Sequence, residues 1–251
     1  MSNDHTATCP ICSAPGEAFD VVDFNKNCLE TSGHYLPLSG KPVYYHRCTE
    51  CAYTWAPEFA DWSDDDFLRE IYNEGYAAVD PDYAESRPLG NAQSILKTFG
   101  QSRDQLRHLD YGGGNGRLSA ALVAQGWQSA SYDPFPARSG TPHAGSRYNL
   151  ITAFEVFEHV PQPQAMMASL AGLLDEPGLL LFSTLVSDDQ IRPGKRLTWW
   201  YASPRNGHIS LFSRKSLKLL AKRHGLRFGS FNDNLHFCTR QIPDWARHII
   251  N

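Results

Sequence analysis

LDYGGGNG, residues 109–116, is the stretch of this 251-residue chain that decides its fold. An acidic residue, Asp110, ends an apolar run and is followed by glycines at alternate positions, Gly112, Gly114 and Gly116, in the pattern D-x-G-x-G-x-G. Glycine lets a chain turn sharply from a strand into a helix while the backbone lies against a ligand, because no side chain stands in the way. The stretch therefore predicts a nucleoside-binding loop.

Strands and helices alternate around this loop. LRHLD precedes it as a strand, RLSAALVAQ follows as a helix, and WQSASYD forms a second strand that ends at Asp133. This alternation predicts an α/β fold with a doubly wound, mostly parallel sheet. Asp133 lies at about the distance, roughly 20 residues past the loop, at which a carboxylate binds ribose hydroxyls in such folds. The alternative is that Asp133 caps a helix or a turn.

A dinucleotide-binding loop is the competing interpretation. Its fingerprint, G-x-G-x-x-G/A started at Gly112, requires Gly or Ala at position 117, where this chain has Arg117. The alternate glycines instead resemble the cofactor loop of class I S-adenosylmethionine-dependent methyltransferases. The segment 148–163, YNLITAFEVFEHVPQP, resembles the fourth-strand signature E-V-x-E-H-V-P-x-P of the group that includes ubiquinone O-methyltransferases and sugar-methylating enzymes.

This resemblance implies a cofactor and several site residues. It implies that S-adenosylmethionine is bound by two aspartates, three glycines and a glutamate: Asp110, Asp133, Gly112, Gly114, Gly116 and Glu155. It also implies that His159 lies beside the transferred methyl group, where it positions substrate or accepts a proton, with packing or helix capping as the alternative. Too little chain separates Asp133 from Tyr148 for a full helix and a third strand, so we expect that strand to be reduced or missing.

Six cysteines indicate a metal site near the start of the chain. Cys9, Cys12, Cys48 and Cys51 form two CxxC pairs, and two such knuckles supply four thiolates for a structural zinc ion. The alternative is one vestigial pair of buried thiols. Cys28 and Cys238 are outside the pairs and are expected to pack as small apolar residues. We therefore predict a zinc-ribbon-like module over residues 1–60.

A helical, aromatic-rich connector is predicted over residues 61–104, ahead of a cofactor-binding core over 105–251. It includes a helix from about Glu85 to Phe99. In methyltransferases of similar layout, helices before the glycine loop cap the cofactor and help to form the substrate cleft. That resemblance makes four connector residues possible site residues, although aromatics at helical spacing usually only pack: Tyr72, Tyr76, Tyr83 and Arg87.

KRLTWWYASPRNGHISLFS, residues 195–213, is a loop segment rich in aromatic and polar residues. Loops carried on a rigid sheet often set specificity, and aromatics with a few polar groups suit a sugar ring, so Trp200, Tyr201 and Arg205 are candidate substrate residues. Some sugar-methylating enzymes that combine a zinc module with this core use a histidine of the corresponding region as base. The resemblance therefore makes His208 the leading candidate base, with ordering of the loop as the alternative.

Composition excludes several classes of protein. The formal net charge is −4 and no block of Lys or Arg occurs, which disfavours nucleic acid as a partner. No apolar run approaches the roughly 18 residues of a membrane span, and the start MSNDHTATCP lacks the features of a signal peptide, so we expect no membrane association and a cytoplasmic location. The sequence does not indicate an oligomeric state.

The expected activity is methylation of a small-molecule acceptor with S-adenosylmethionine as donor, most simply O-methylation of a saccharide or a nucleotide-linked sugar. Two alternatives stay open. One is an RNA-modifying methyltransferase whose zinc ribbon holds nucleic acid, which the acidic balance and the lack of an N/D-P-P-Y motif disfavour. The other is a catalytically silent module that binds the cofactor.

Overall fold

The fold is that of a computed structural model, which describes residues 7–134 and 146–250. Within these ranges the strands are β1 (Ala7–Thr8), β2 (Pro15–Asp23), β3 (Pro42–Cys48), β4 (Thr54–Trp55), β5 (Arg107–Tyr111), β6 (Gln128–Tyr132), β7 (Tyr148–Phe154), β8 (Leu174–Ser183), β9 (Ser210–Leu211), β10 (Arg227–Ser230) and β11 (Leu235–Thr239). The α-helices are α1 (Asp64–Glu70), α2 (Ser86–Phe99), α3 (Arg117–Ala124), α4 (Pro163–Leu173) and α5 (Arg214–Arg223).

Contacts between residues divide the chain into two compact units. Unit 1 comprises Met1–Pro81, Phe157–Met166 and Thr184–Leu220, and unit 2 comprises Asp82–Val156, Met167–Ser183 and Ala221–Asn251. The boundaries expected from sequence, 1–60, 61–104 and 105–251, stay predictions about modules. The division by contacts places the cysteine-rich start of the chain and the 195–213 segment together in unit 1.

Unit 2 contains a mixed six-stranded sheet in the order β10-β11-β8-β7-β5-β6. β6, β5, β7 and β8 are parallel, and the hairpin of β10 and β11 pairs antiparallel with β8. The carboxyl ends of the four parallel strands therefore share one edge of the sheet, where ligands bind in doubly wound folds. This sheet confirms the expected α/β class with a mostly parallel sheet.

The core of unit 2 forms because α2 and α3 present apolar faces to the sheet. Ala92, Ile95 and Phe99 follow the helical spacing of three and four residues and are all buried. α2 confirms the helix expected from Glu85 to Phe99, with a start one residue later. The expectation about the third strand falls largely on residues 135–145, which lie outside the described residues.

Unit 1 contains an antiparallel sheet in the order β1-β2-β3-β4-β9. Four of its strands come from the first 55 residues, and β9 comes from the 195–213 segment, where Ser210 pairs with Trp55. Only glycine fits at position 16, because a Cβ there would lie 2.2 Å from the ring of Trp55. Next to β4, the ring of Tyr53 stacks on that of Trp55, with centroids 5.4 Å apart, and packs against that of Phe212, with centroids 5.0 Å apart.

Among the described residues, none of the helices combines the length and the apolar character that a membrane crossing requires.

Candidate functional site

The glycine loop of unit 2 connects β5 to α3 through a left-handed backbone. The φ angles are +74° at Gly112, +55° at Gly114 and +74° at Gly116. A Cβ on Gly112 would also lie 2.5 Å from a methyl group of Val156, whereas one on Gly114 would meet no described atom within 4 Å. Backbone conformation therefore requires glycine at all three positions, and the open space at Gly114 leaves room for a ligand against the chain.

Two carboxylates flank this loop. The backbone N–H of Gly114 donates to Oδ2 of Asp133 at 2.9 Å, and Oγ1 of Thr152 donates to Oδ1 of Asp110 at 3.0 Å. Burial raises the pKa of Asp110 to about 7; the hydrogen bond from Thr152 opposes this shift and the charge of Asp133 adds to it. The end of β5 thus carries a buried carboxyl group whose ionisation costs free energy.

The residues at the loop fit a cationic nucleoside such as S-adenosylmethionine. Oγ of Ser131 is buried and has no hydrogen-bond partner among the described residues, and a Cβ on the adjacent Gly113 would lie 2.3 Å from it. A polar ligand at the loop would give this hydroxyl a partner. A positive charge on that ligand would favour the ionised form of Asp110.

Glu155 lies at the same edge of the sheet, just after β7. Its backbone has a positive φ of 52°, which is uncommon for a residue with a side chain. Ser183, at the end of β8, holds this conformation, since the N–H of Glu155 donates to Oγ of Ser183 at 2.9 Å and that hydroxyl donates to Oε1 of Glu155 at 2.6 Å. The structure therefore gathers the predicted cofactor residues at one edge of one sheet.

The start of α2 also contacts the loop. The side chain of Asn115 donates to the carbonyl of Ala84 at 2.8 Å, and Arg117 forms an ion pair with Glu85 at 3.0 Å. Tyr83 and Arg87, which the sequence suggested as site residues, are half-buried in this stretch. Their suggested role stays a prediction.

Unit 1 brings together His208, His159, Tyr201 and Glu158, here called the histidine cluster. The rings of His159 and His208 are 4.9 Å apart, and those of Tyr201 and His208 are 4.3 Å apart. The hydroxyl of Tyr201 donates to Oε1 of Glu158 at 2.6 Å, and Glu158 is fully buried. Sequence reasoning identified the two histidines and Tyr201 separately, and the folded chain brings them together.

The tautomer of His208 follows from its partner. Nδ1 lies 2.9 Å from the backbone carbonyl of Tyr201, which can only accept, so a neutral His208 holds its proton on Nδ1. Its Nε2 then carries a lone pair. Cys28, expected only to pack, has its sulfur 3.8 Å from the same Nδ1. His208 can therefore accept a proton, or bind a metal ion, through Nε2.

The other candidate substrate residues have different surroundings. Trp200 is 41% exposed and its ring lies edge-on to Tyr201. Arg205 is buried, and its guanidinium donates to the carbonyl of Ile71 at 2.8 Å and to Oδ1 of Asn73 at 3.2 Å. Two of its donor groups thus bind the connector, so any role toward a substrate falls to its remaining N–H groups.

Residues between β2 and β3 hold the 195–208 segment in place. Nζ of Lys26 donates to the carbonyls of Trp199, at 2.9 Å, and Ala202, at 2.6 Å. Oδ1 of Asn206 accepts the N–H of Cys28 at 2.9 Å. These partners are more than 170 residues apart in sequence, which is why sequence reasoning did not find them.

The four predicted metal ligands of unit 1 come together. Their sulfur atoms all lie within 4.8 Å of one another; Cys9 and Cys51 are 3.7 Å apart, and Cys12 and Cys48 are 3.3 Å apart. Sulfur atoms on a tetrahedral zinc ion, at about 2.3 Å from the metal, are roughly 3.8 Å apart. The four thiols therefore fit a zinc ion with small adjustments.

Both cysteine pairs share one backbone pattern. The residue after each pair, Ser13 or Ala52, has a positive φ, and its N–H donates to the carbonyl of the first cysteine of its own pair. Each of the two equivalent turns thus directs two thiols toward the same point. A second group, Glu158, His159 and His208, also has ligand atoms within 4.8 Å of one another and could hold a metal ion.

The chain is similar to known proteins in sequence and in structure. Ubiquinone biosynthesis O-methyltransferase of Burkholderia multivorans is 27% identical over 128 residues, which cover 41% of this chain and 55% of that protein. The chain thus spans about half the length of this curated relative.

Two of the solved structures to which this chain is similar are methyltransferases. A magnesium protoporphyrin IX methyltransferase from Synechocystis PCC 6803 has a TM-score of 0.45 and 15% identity, over 71% of this chain and 100% of that one. An amino pentose methyltransferase from Micromonospora echinaspora has a TM-score of 0.45 and 15% identity, over 68% of this chain and 98% of that one.

A family model described as a methyltransferase domain matches residues 83–228. This match spans the glycine loop, all the predicted cofactor residues and the histidine cluster. Because it covers more than half of the chain, the protein belongs to the methyltransferase domain family, the S-adenosylmethionine-dependent methyltransferases that the glycine loop resembles.

Proposed function

We propose that the protein transfers a methyl group from S-adenosylmethionine to a hydroxyl oxygen of a small molecule, with a saccharide or a nucleotide-linked sugar as the acceptor. The observation that carries this proposal is the glycine loop, which joins Asp110 and Asp133 at the carboxyl edge of the parallel strands. When bound, S-adenosylmethionine supplies a methyl group already activated by its sulfonium charge.

Donor binding is assigned to unit 2. Asp133 accepts the N–H of Gly114, which orients its carboxylate toward the loop, and a carboxylate so held can accept hydrogen bonds from ribose hydroxyls. The ionised form of Asp110 complements the positive charge of the donor. Glu155, held by Ser183, is the third acidic group at this edge.

Proton removal from the acceptor is assigned to His208 in unit 1. The carbonyl of Tyr201 accepts the Nδ1 proton, so a neutral His208 has its basic nitrogen at Nε2, the atom that would take the hydroxyl proton during methyl transfer. General base catalysis of this kind contributes roughly 10²–10⁴ in rate. His159, whose ring packs edge-on against that of His208 with the ring centroids 4.9 Å apart, is the second candidate base.

Several observations favour an oxygen acceptor of small size. The aligned relative from Burkholderia is named as an O-methyltransferase. Trp200 offers an exposed aromatic face in the same segment as the candidate base, and such faces stack on sugar rings. The net charge of −4 disfavours nucleic acid as acceptor. A zinc ion on the four cysteines completes the proposal, with a structural role, because four thiolates leave no open coordination position.

Calorimetry with S-adenosylmethionine and with its demethylated product tests the donor assignment. We expect wild-type protein to bind both, and Asp133→Asn to bind both at least ten-fold more weakly. Asp104→Asn is the matched control, since the side chain of Asp104 is 86% exposed and lies outside the loop. Absence of binding by the wild type would refute the proposal.

Transfer is tested separately by incubating protein and donor with sugars, nucleotide sugars, quinols and phenols, followed by mass spectrometry for a gain of one CH₂. Product from a sugar class supports the proposed acceptor. If the donor binds but no acceptor of any class gains mass, the protein is a binding module and the transfer proposal is wrong.

A further inference from the structure

Unit 2 contains a continuous chain of buried polar side chains that starts at the glycine loop. Strand register creates it, because His108 and Asp110 lie two residues apart on β5 and so face the same side of the sheet. In the register, Ser129 of β6 pairs with His108, and Thr152 of β7 pairs with Asp110. Polar side chains on three adjacent strands are thereby brought into contact inside an otherwise apolar core.

The hydrogen bonds that connect these side chains have ordinary lengths. Oγ1 of Thr152 lies 3.0 Å from Oδ1 of Asp110 and 2.9 Å from Nε2 of His108. Nδ1 of His108 lies 2.7 Å from Oγ of Ser129, which lies 2.9 Å from Oγ of Ser119 on α3. His108 and Thr152 are both fully buried, so water does not compete for these bonds.

The charge state of His108 restricts how the chain can be arranged. Burial lowers the pKa of His108 to about 3, so the ring is neutral at ordinary pH. A neutral imidazole donates from one nitrogen and accepts at the other. A threonine hydroxyl has a single proton to donate. In this series of hydrogen-bonded side chains, the direction of one hydrogen bond therefore sets the direction of the adjacent hydrogen bonds.

An ionised Asp110 can only accept, so it requires Thr152 to donate to it. Thr152 must then accept from His108, which places the ring proton on Nε2, and Nδ1 must accept the single proton of Ser129, which in this arrangement no longer donates to Ser119. A protonated Asp110 removes this requirement, because its own O–H can donate to Thr152 and the chain can reverse. The tautomer of His108 is thus linked to the ionisation of Asp110.

We infer that His108 and Thr152 are positioning residues for the methyl donor, which act by holding Asp110 in the ionised form that a cationic ligand requires. This inference rests on the proposed binding of S-adenosylmethionine by unit 2. Thr152 bonds to the carboxylate of Asp110 and His108 bonds to Thr152, so both act through that carboxylate. The charged group that acts on Asp110 directly is Asp133, at the end of β6, whose negative charge opposes ionisation. His108, behind Thr152, is the other titratable group, and its neutral form adds no charge.

The first test compares donor affinity as a function of pH. The apparent dissociation constant rises as pH falls through the pKa of Asp110, because only the ionised form binds. Thr152→Val keeps the shape of the side chain and removes its hydroxyl, which raises that pKa. If the pKa rises by about one unit from about 7, affinity at pH 7 falls about five-fold and affinity at pH 9 is nearly unchanged.

Variants with matched chemistry separate this effect from general damage. Thr152→Ser restores a hydroxyl and should restore the wild-type pH profile. Thr239→Val removes another fully buried threonine hydroxyl, whose Oγ1 lies 2.7 Å from the carbonyl oxygen of Gly178 and 2.6 Å from that of Gln241. It should cost stability and leave the profile unchanged. A Thr152→Val profile that matches the wild type would overturn the inference.

The second test does not depend on the donor. Histidine-ring nitrogen NMR of the ligand-free protein at pH 9, with the signal of His108 assigned by its loss in His108→Gln, reports which nitrogen carries the proton. We expect the proton on Nε2. A proton on Nδ1 at pH 9 would overturn the inference even if S-adenosylmethionine binds. Conversely, the expected tautomer in a protein that binds no donor would refute the proposed function and leave the linkage of His108 to Asp110 intact.

Discussion

The hydroxyl of Tyr45 donates a 2.6 Å hydrogen bond to the backbone carbonyl of His208. Tyr45 is fully buried and lies on β3, the strand that ends at Cys48, one of the four predicted zinc ligands. The backbone of the candidate base is therefore held by the same strand that carries part of the cysteine cluster. Within unit 1, the cysteine-rich sheet has a direct structural link to the chemistry proposed for the histidine cluster.

Replacing Tyr45 with phenylalanine removes this hydrogen bond and little else. We expect Tyr45→Phe to lower kcat about ten-fold and to destabilise the protein by about 1–3 kcal/mol, since a buried carbonyl loses its partner. Donor affinity, a property of unit 2, should not change. Tyr44→Phe is the matched control, because Tyr44 is the adjacent residue on β3 and is 51% exposed. Equal turnover in the two variants would contradict the proposed link.

The metal content of variants shows whether the four cysteines or the histidine cluster holds a metal ion. We expect about one zinc ion per chain, held by the cysteine cluster, and its loss in Cys51→Ser. His208→Asn should retain the zinc ion in full. Removal of zinc should also abolish the near-ultraviolet circular dichroism of the aromatic residues in unit 1, since the metal connects the two turns of the sheet. A second equivalent of metal that disappears in His208→Asn would instead assign a metal to the histidine cluster.

Most of the features that could be predicted depend on short stretches of sequence. The glycine loop, the CxxC pairs and the helix of residues 86–99 each depend on a few neighbouring residues, so short stretches of sequence were enough to predict them. The carboxyl edge of the sheet followed from the alternation of strands and helices. Asp110, Asp133 and Glu155 were therefore identified as neighbours without any knowledge of their distances.

Contacts between distant segments could not be predicted. The pairing of Trp55 with Ser210, and the bonds from Lys26 to Trp199, join residues separated by about 150 positions or more. The hydrogen bonds that link His108 to Asp110 through Thr152 depend on how β5 and β7 are paired. The sequence shows that His108 and Asp110 are two residues apart, but not which residue of β7 lies opposite them. Ser131 could not be identified as a site residue from the sequence, because a serine in a strand is common. Only the buried position of its hydroxyl beside Gly113 points to a ligand.

The histidine cluster predicts a separation between turnover and donor binding. His208→Asn should lower kcat by about 10²–10⁴, because a general base is lost, and leave the dissociation constant for S-adenosylmethionine within two-fold of wild type. His159→Asn should have a smaller effect if its ring only restricts His208. Single-turnover assays with saturating donor measure the chemical step directly. If His159→Asn shows the larger loss, the roles of the two histidines are reversed.

The burial of Asp110 leads to opposite requirements for stability and for ligand binding. The folded protein is more stable with Asp110 protonated, whereas the donor requires the ionised carboxylate. Its pKa is raised by burial to about 7, above the ordinary value of 3.8, so between these values the folded state binds more protons than the unfolded state. The contribution of this group to stability is thus fully present below pH 4 and is lost as pH rises through 7. Asp110→Asn keeps an acceptor for Thr152 and removes the titration, so it should gain stability over the wild type as pH rises from 5 to 8, by on the order of a few kcal/mol.

Comparing the two proteins at each pH isolates Asp110 from other titrating groups. His108 alone would act in the opposite direction, because burial lowers its pKa to about 3 and acid therefore favours unfolding. That contribution is common to both proteins and cancels in the difference. Denaturant titrations at pH 5 and pH 8 measure this difference, and calorimetry on the same samples should show that Asp110→Asn binds S-adenosylmethionine weakly at both. A stability difference that is constant with pH would mean that Asp110 is ionised throughout, and the carboxylate would then carry no cost for the donor to offset.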